Sequence, residues 1–161
     1  MIVSVDNGIS GGSVALKSDA GNIIGYRSQP TMQRAGKTEV DLSEWGSWVE
    51  SFKCDPIIVL EEPLKHAKSS QAVRSMAMCF GGIMGYSLGK GWEFHAVTVK
   101  EWQTSMLGKF PKGGSKEAAL RKAEYILPNE SWVDPTKPRA RRKHDGIIDA
   151  FLIGKYYPNR K

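Results

Sequence analysis

Apolar positions along this chain recur with two periods, and the changes of period mark out its elements. Ile2, Val3 and Val5 form a short apolar run that ends on Asp6, and Asn7-Gly8 and Gly11-Gly12 supply turn material. Ser13 to Leu16 reads as a second strand, Asp19-Ala20-Gly21-Asn22 as a hairpin turn, and Ile23 to Tyr26 as a third strand. The chain therefore opens with an antiparallel meander. Gln29 to Lys37 is polar and reads as a loop. Asp41 is placed to cap a helix in which Leu42, Trp45, Val49 and Phe52 recur at helical spacing. Pro56 stops it. The unbroken aliphatic run Ile57-Ile58-Val59-Leu60 then predicts a strand covered on both faces, ending on Glu61-Glu62-Pro63.

The second half alternates. Ser69-Ser70 can cap a long helix to about Leu88, Trp92 to Val97 reads as a strand, and Val99 to Leu107 as a short helix. Lys109 to Gly114 is a basic, glycine-rich loop, after which Ser115 is read as the cap of a helix through Leu127 that Pro128 stops. Pro135 to Lys143 is proline-rich and basic. His144 to Tyr157 closes the chain as a helix, with Ile148, Phe151, Leu152 and Tyr156 on one face. Three strands in a meander followed by alternating helices and strands predict an α/β fold, a mixed five-stranded sheet flanked by helices. Ala77, Gly81, Gly82 and Gly85 weaken the long helix in isolation. Such small residues admit a close neighbour, either this chain's own sheet or a second subunit.

Composition narrows the picture. The 161 residues suit one domain, read as spanning 1–161, and the hydrophobic fraction of 40% is ordinary for a globular chain. The net charge of +6 favours a polyanionic partner, nucleic acid first. Cys54 and Cys79 lack metal-ligand spacing and read as free, buried thiols in a reducing compartment. The N-terminus reads as a strand and not as a signal peptide, and no apolar run approaches the roughly 18 residues that span a bilayer. The expectation is a soluble cytoplasmic protein, with no membrane partner.

Carboxylates stand where apolar patterning would not put them. Asp6 ends the first buried strand, and Glu61 and Glu62 end the central one. Asp145 and Asp149 lie four residues apart on the last helix and so project from one face. Acids gathered within a few ångströms repel unless a cation neutralises them or one binds a proton. An all-oxygen donor set selects Mg²⁺ or Mn²⁺, and two such ions about 4 Å apart can clamp a phosphodiester. A basic protein would bring DNA to such a pocket.

At these residues the sequence resembles the RuvC-type Holliday junction resolvases, particularly the small phage-encoded members. Ile2-Val3-Ser4-Val5-Asp6-Asn7-Gly8 with Gly11-Gly12 is similar to the family's opening strand and turn, and Val59-Leu60-Glu61-Glu62-Pro63 to its central strand. Ala67 to Ala72 resembles the start of its long helix, Val97 to Gln103 a segment common in phage resolvases, Gly114-Ser115-Lys116 a helix opening, and His144 to Ala150 the closing acidic helix. The resemblance implies an RNase H-like fold, a homodimer, two divalent metals per site and paired nicks across four-way or other branched DNA. It implies that Asp6 bridges the metals, that the central-strand glutamate is a ligand, and that Asp145 and Asp149 complete the site. Counting back from Pro63 makes that glutamate Glu61, the preferred reading; counting back from Ala67 makes it Glu62. Relatives often space the two helix acids by three residues, with Asp or His first. Here the gap is four, Gly146 holds the three-residue position, and His144 is an alternative to Asp145.

Basic residues supply candidate DNA contacts. Lys137, Arg139, Arg141, Arg142 and Lys143 place five cations within seven residues just before the acidic helix. Lys109, Lys112 and Lys116 form a second group, beside a helix start able to hold a phosphate. Lys65 and Lys68 follow the central strand, and by resemblance Leu64 would wedge into the junction centre. His66 and His95 read as surface or structural, and Trp45, Trp48 and Trp102 as core. Besides a junction-resolving endonuclease, the residues also admit a catalytically inactive DNA-binding protein on the same fold.

Overall fold

The computed structural model describes residues 1–18, 21–64 and 69–159. Seven strands and five helices follow in the order β1 (Ile2–Val5), β2 (Gly12–Leu16), β3 (Ile23–Ser28), β4 (Thr31–Arg34), β5 (Lys37–Val40), α1 (Leu42–Glu50), β6 (Ile57–Glu61), α2 (Ser70–Gly89), β7 (Glu93–Val97), α3 (Val99–Leu107), α4 (Ser115–Ile126) and α5 (Asp145–Tyr156) among the described residues. The main sheet has the order β3-β2-β1-β6-β7. The β1–β2 and β2–β3 pairs are antiparallel, and the β1–β6 and β6–β7 pairs are parallel. The expected mixed five-stranded sheet with an antiparallel start is thus observed.

Strand alternation divides the core. Val3, Val5, Ala15, Ile58 and Leu60 face one way and pack with Trp45 and Val49 of α1 and Ile83 of α2. Ile2, Val14, Leu16 and Val59 face the other way and pack with Trp102 of α3, Ala119 of α4 and Phe151 of α5. The result is three layers, with α1 and α2 on one face of the sheet and α3 to α5 on the other. α5 is buried along most of its length, which explains why its sequence is apolar beyond a single stripe.

Glycine decides how α5 meets the sheet. The backbones of Gly11 and Gly146 form an isolated parallel bridge. A Cβ on Gly146 would stand 2.6 Å from the carbonyl carbon of Gly11, and one on Gly12 2.7 Å from that of Gly146. No side chain fits between them. The helix start is thereby pressed against the turn that follows Asp6. This accounts for the four-residue spacing of the helix acids, because the intervening three-residue position must be glycine.

Four expectations are corrected. Gln29 to Lys37 is not a loop: Thr31–Arg34 and Lys37–Val40 pair as an antiparallel hairpin, with Arg34 opposite Lys37. Its sequence lacks apolar alternation. It is held instead by a two-residue turn at Ala35-Gly36, both with positive φ (49° and 73°), and by a bond from Gln33 Nε2 to Thr38 Oγ1 of 2.8 Å. Cys54 is exposed, in the loop after α1, while Cys79 is buried as expected. Ser115 does not cap α4; Gly114 takes the cap position and no side chain bonds there. Trp48 is only half-buried, packed edge-on against Phe52, whereas Trp45 and Trp102 are fully enclosed. No helix among the described residues is long and apolar enough to cross a membrane.

The Gly11–Gly146 contact predicts a sharp result. Gly146→Ala should destabilise the protein by about 1–3 kcal/mol through overpacking, read as a lower midpoint in urea. An unchanged midpoint would mean that α5 can move away from the turn without loss.

Candidate active site

The topology brings the acids together. β1 and β6 are parallel neighbours with Val5 opposite Leu60, so the residues that follow, Asp6 and Glu61, lie side by side at the same sheet end. Alternation places Ile2, Ser4 and Asp6 on one face of β1, and Ile57, Val59 and Glu61 on the matching face of β6. That face is the one α5 covers. α5 starts at the turn after Asp6 and delivers Asp145 and Asp149 to the same place. Asp6, Asp145 and Asp149 line a cleft of about 1040 Å³, with Lys37, Lys116 and Lys143 on its walls. Glu61 is not part of that lining but lies within electrostatic reach of both Asp6 and Asp149.

The electrostatics are those of crowded, poorly hydrated acids. Burial raises the Asp6 carboxyl well above its ordinary range, and Glu61, Asp149 and Asp145 push it further, opposed by Lys116. Glu61 is raised to about 7, chiefly by burial and then by Asp149, against the lowering effect of a hydrogen bond from Trp102. In that bond Trp102 Nε1 donates to Glu61 Oε2 at 2.7 Å. Asp149 is raised to about 7 by burial and by Asp145, again opposed by Lys116. Asp145 is the exposed member, with 53% of its side chain accessible, and Lys116 Nζ lies 2.5 Å from its Oδ2.

Such a set is short of positive charge. Its donors are all carboxylate oxygens, the chemistry that a hard divalent cation takes. Among the described residues no three carboxylate, imidazole or thiol groups converge closely enough to hold an ion as they stand. Lys116 supplies the cation that the cluster has in this structure, and Asp145 is engaged with it. The donor set therefore fits a divalent ion in kind, provided that Asp145 is released from Lys116 or that solvent completes the shell.

The remaining candidates fall in different places. Glu62 lines a separate groove with Leu64, Lys100, Lys109 and Phe110, away from the three aspartates. His144 caps α5, its Nδ1 accepting from the Ile147 N–H at 3.3 Å, so that nitrogen is committed to the helix. His95 lies beside Glu93, 2.6 Å between Nε2 and Oε1. Lys143 lines the cleft and is paired with Glu124. Arg139, Arg141 and Arg142 are exposed on the loop that leads into α5, and Lys109 and Lys112 on the loop before α4. Leu64 is 45% exposed. Lys65, His66 and Lys68 lie outside the described residues. Sequence reading missed two contributors. Trp102 was assigned to the core and is, yet its indole N–H also orients Glu61. Lys37 was lost in the supposed loop and stands on the cleft wall.

No protein-family model matches the sequence, and no curated protein matches it. Solved structures do share its fold. A Thermus thermophilus RuvC structure superposes with a TM-score of 0.57 at 15% identity, covering 98% of this chain and 95% of that one. The T. thermophilus RuvC in complex with a Holliday junction substrate gives 0.58 at 16% identity, covering 98% and 93%. The Fowlpox virus resolvase in complex with substrate Holliday junction DNA gives 0.51 at 15%, covering 98% and 97%. The chain therefore shares an RNase H-like fold with these structures.

The raised carboxyls link the site to stability. The unfolded chain releases these protons near the ordinary values of 4.5 for Glu61 and 3.8 for Asp149, whereas the folded protein holds them up to about 7. Between about pH 4 and 7 the folded state binds more protons, so stability is lost as pH rises through that window. Asp149→Asn removes one of the repelling charges. In metal-free buffer at pH 8 it should be more stable than the parent by on the order of 1–3 kcal/mol, and the gain should vanish at pH 4. Equal melting of the two proteins at pH 8 would contradict the crowding described above.

Proposed function

We propose that this chain is a divalent-metal-dependent endonuclease acting on branched DNA, four-way junctions first among its substrates. The observation that carries the reading is the gathering of Asp6, Glu61 and Asp149 at one sheet end, where the two aspartates line a cleft walled by lysines and Glu61 lies within electrostatic reach of both. Residues 1–161 are read as one nuclease domain. The neighbours in fold include proteins whose structures hold Holliday junction DNA, which supports the substrate class.

Asp6, Glu61 and Asp149 would hold the metal, with Asp145 joining them once freed from Lys116. Bound there, Mg²⁺ or Mn²⁺, two ions on this reading, would neutralise the phosphodiester and supply an acidic water near neutral pH. Trp102 keeps one oxygen of Glu61 engaged, which fixes the direction in which the other can point. Lys116, released from Asp145, can meet a phosphate oxygen of the incoming strand. Lys143 lines the same cleft, and Arg139, Arg141 and Arg142 extend the positive surface along the approach to it. Leu64 and Lys109, which line the groove beside Glu62, would on this reading meet a second arm of the branch.

A homodimer is part of the proposal, because paired nicks need two sites in fixed relation. The outer face of α2 supports it. Ala77, Met78, Gly81, Gly85 and Leu88 are exposed along one side, and a Cβ built on Gly81 or Gly85 meets nothing within 4 Å. Those two glycines therefore do not serve this chain's own sheet. Gly82 instead packs against α1, since its Cβ would stand 2.7 Å from Leu42 Cδ1.

The test is cleavage of matched four-way, flap and duplex DNAs with and without Mg²⁺. The junction should be cut by symmetric nicks only with the metal, and Asp6→Asn should lose cutting by at least about 10³-fold while still binding. Binding without cutting under every metal condition would favour an inactive DNA-binding protein. Equal cutting of junction and duplex would remove the branch preference and leave the nuclease.

A further inference from the structure

Of the β4–β5 hairpin, only Lys37 has so far entered the site, on the cleft wall. The hairpin stands apart from the main sheet, paired only with itself, and rests against α2. Between the hairpin and the start of α2 lies a pocket of about 380 Å³. That is within the ~300–1,000 Å³ range of sites that take small ligands, and so admits a nucleotide-sized group. Lys37, Thr38, Gln71 and Ser75 line both this pocket and the cleft that holds Asp6 and Asp149. The two hollows therefore form one continuous trough that runs from the carboxylates to the hairpin.

The trough is cationic at its far end. Hairpin register puts Met32, Arg34, Lys37 and Glu39 on one face, toward the pocket, where Arg74 of α2 stands across from them. The acids that face the pocket are engaged. Glu39 pairs with Arg34 at 3.6 Å, and Asp41 Oδ1 accepts from the Glu44 N–H at 3.0 Å as the cap of α1. Lys37 and Arg74 are exposed and form no ion pair among the described residues. Polar donors, Thr38, Ser75 and Gln71, line both hollows together with Lys37.

We infer that this trough holds the sugar–phosphate backbone of the cleaved strand beside the scissile linkage, with Lys37 and Arg74 as its phosphate contacts. The lysines on the α4 and α5 side of the cleft face a scissile phosphate from one wall only. A strand crossing the acidic floor needs an anchor on the opposite wall, and the hairpin is the element there. Its two-residue turn, with both residues in the left-handed region, makes the tip a short and rigid mount for Lys37 rather than a floppy tether. Charge complementarity and continuity with the cleft select a polyanionic strand over an apolar partner.

The inference rests on the proposed nuclease reading, and the experiment separates the two. Junctions carrying a single uncharged methylphosphonate linkage are scanned along the cut strand and bound to full-length protein in Ca²⁺. The parent should lose affinity about 10-fold at a linkage near the cut, and its salt dependence should reflect each phosphate held. Lys37→Ala should weaken binding of the ordinary junction, reduce the salt slope by about 1, and become insensitive to methylphosphonate at that one position. Arg74→Ala should do the same at an adjacent linkage. Both side chains are exposed, so melting temperatures should be unchanged. A scan in which both variants keep the full pattern of the parent overturns the inference and leaves the nuclease reading intact. Failure of the parent to bind any branched DNA overturns the nuclease reading and this inference with it.

Discussion

The mutual repulsion of Asp6, Glu61 and Asp149 is the constraint on which the rest of this molecule is arranged. Three carboxyls brought together in poorly hydrated surroundings would be expelled from a structure free to relax. Here they cannot separate. Asp6 and Glu61 are fixed by parallel pairing of β1 and β6, and Asp149 by a helix whose start is locked against Gly11 and Gly12. Burial first, and the neighbouring acids after it, push these carboxyls toward neutrality. Both effects are opposed by Lys116 from one side and by the Trp102 indole from another. Fold stability and the proposed cation binding are thus two sides of one arrangement, since whatever neutralises the cluster also removes a load on the fold.

Much of this is legible in the order of residues. Ile2, Val3 and Val5 before Asp6, and four aliphatic residues before Glu61, place acids at the ends of buried strands without any coordinates. The choice between Glu61 and Glu62 was open when positions were counted from Pro63 or Ala67, yet strand alternation contains a discriminating signal. Val59 and Glu61 share a face, and that face meets the apolar residues of α5. Glu62 falls on the other parity and lines a different groove. The spacing of Asp145 and Asp149, odd against relatives, also has a local cause, because the position between them must lack a side chain to touch Gly11.

The hairpin was not legible, for an equally physical reason. Thr31 to Val40 buries little, so no apolar alternation marks it, and its turn uses Ala35 where a glycine or asparagine would have signalled the left-handed backbone. Ser115 suits a cap by side-chain type, yet the helix starts at Ser115 itself and Gly114 takes the cap position. Trp102 shows a further limit: burial and hydrogen bonding are separate properties, and a tryptophan that reads as core can still orient a site residue through its one polar atom. The overall charge of +6 says that anions are favoured. It says nothing of how cations are divided between the two walls of an acidic cleft, which only the fold decides.

On the proposed function, these carboxyls are held at the edge of ionisation until a divalent cation takes over. Carbon-13 NMR of carboxyl-labelled protein, titrated with and without Mg²⁺, measures this directly. The account predicts that Glu61 and Asp149 titrate near 7 in the absence of metal, and that saturating Mg²⁺ moves both titrations below 5. Titration of both groups near 4 whether or not Mg²⁺ is present would contradict it.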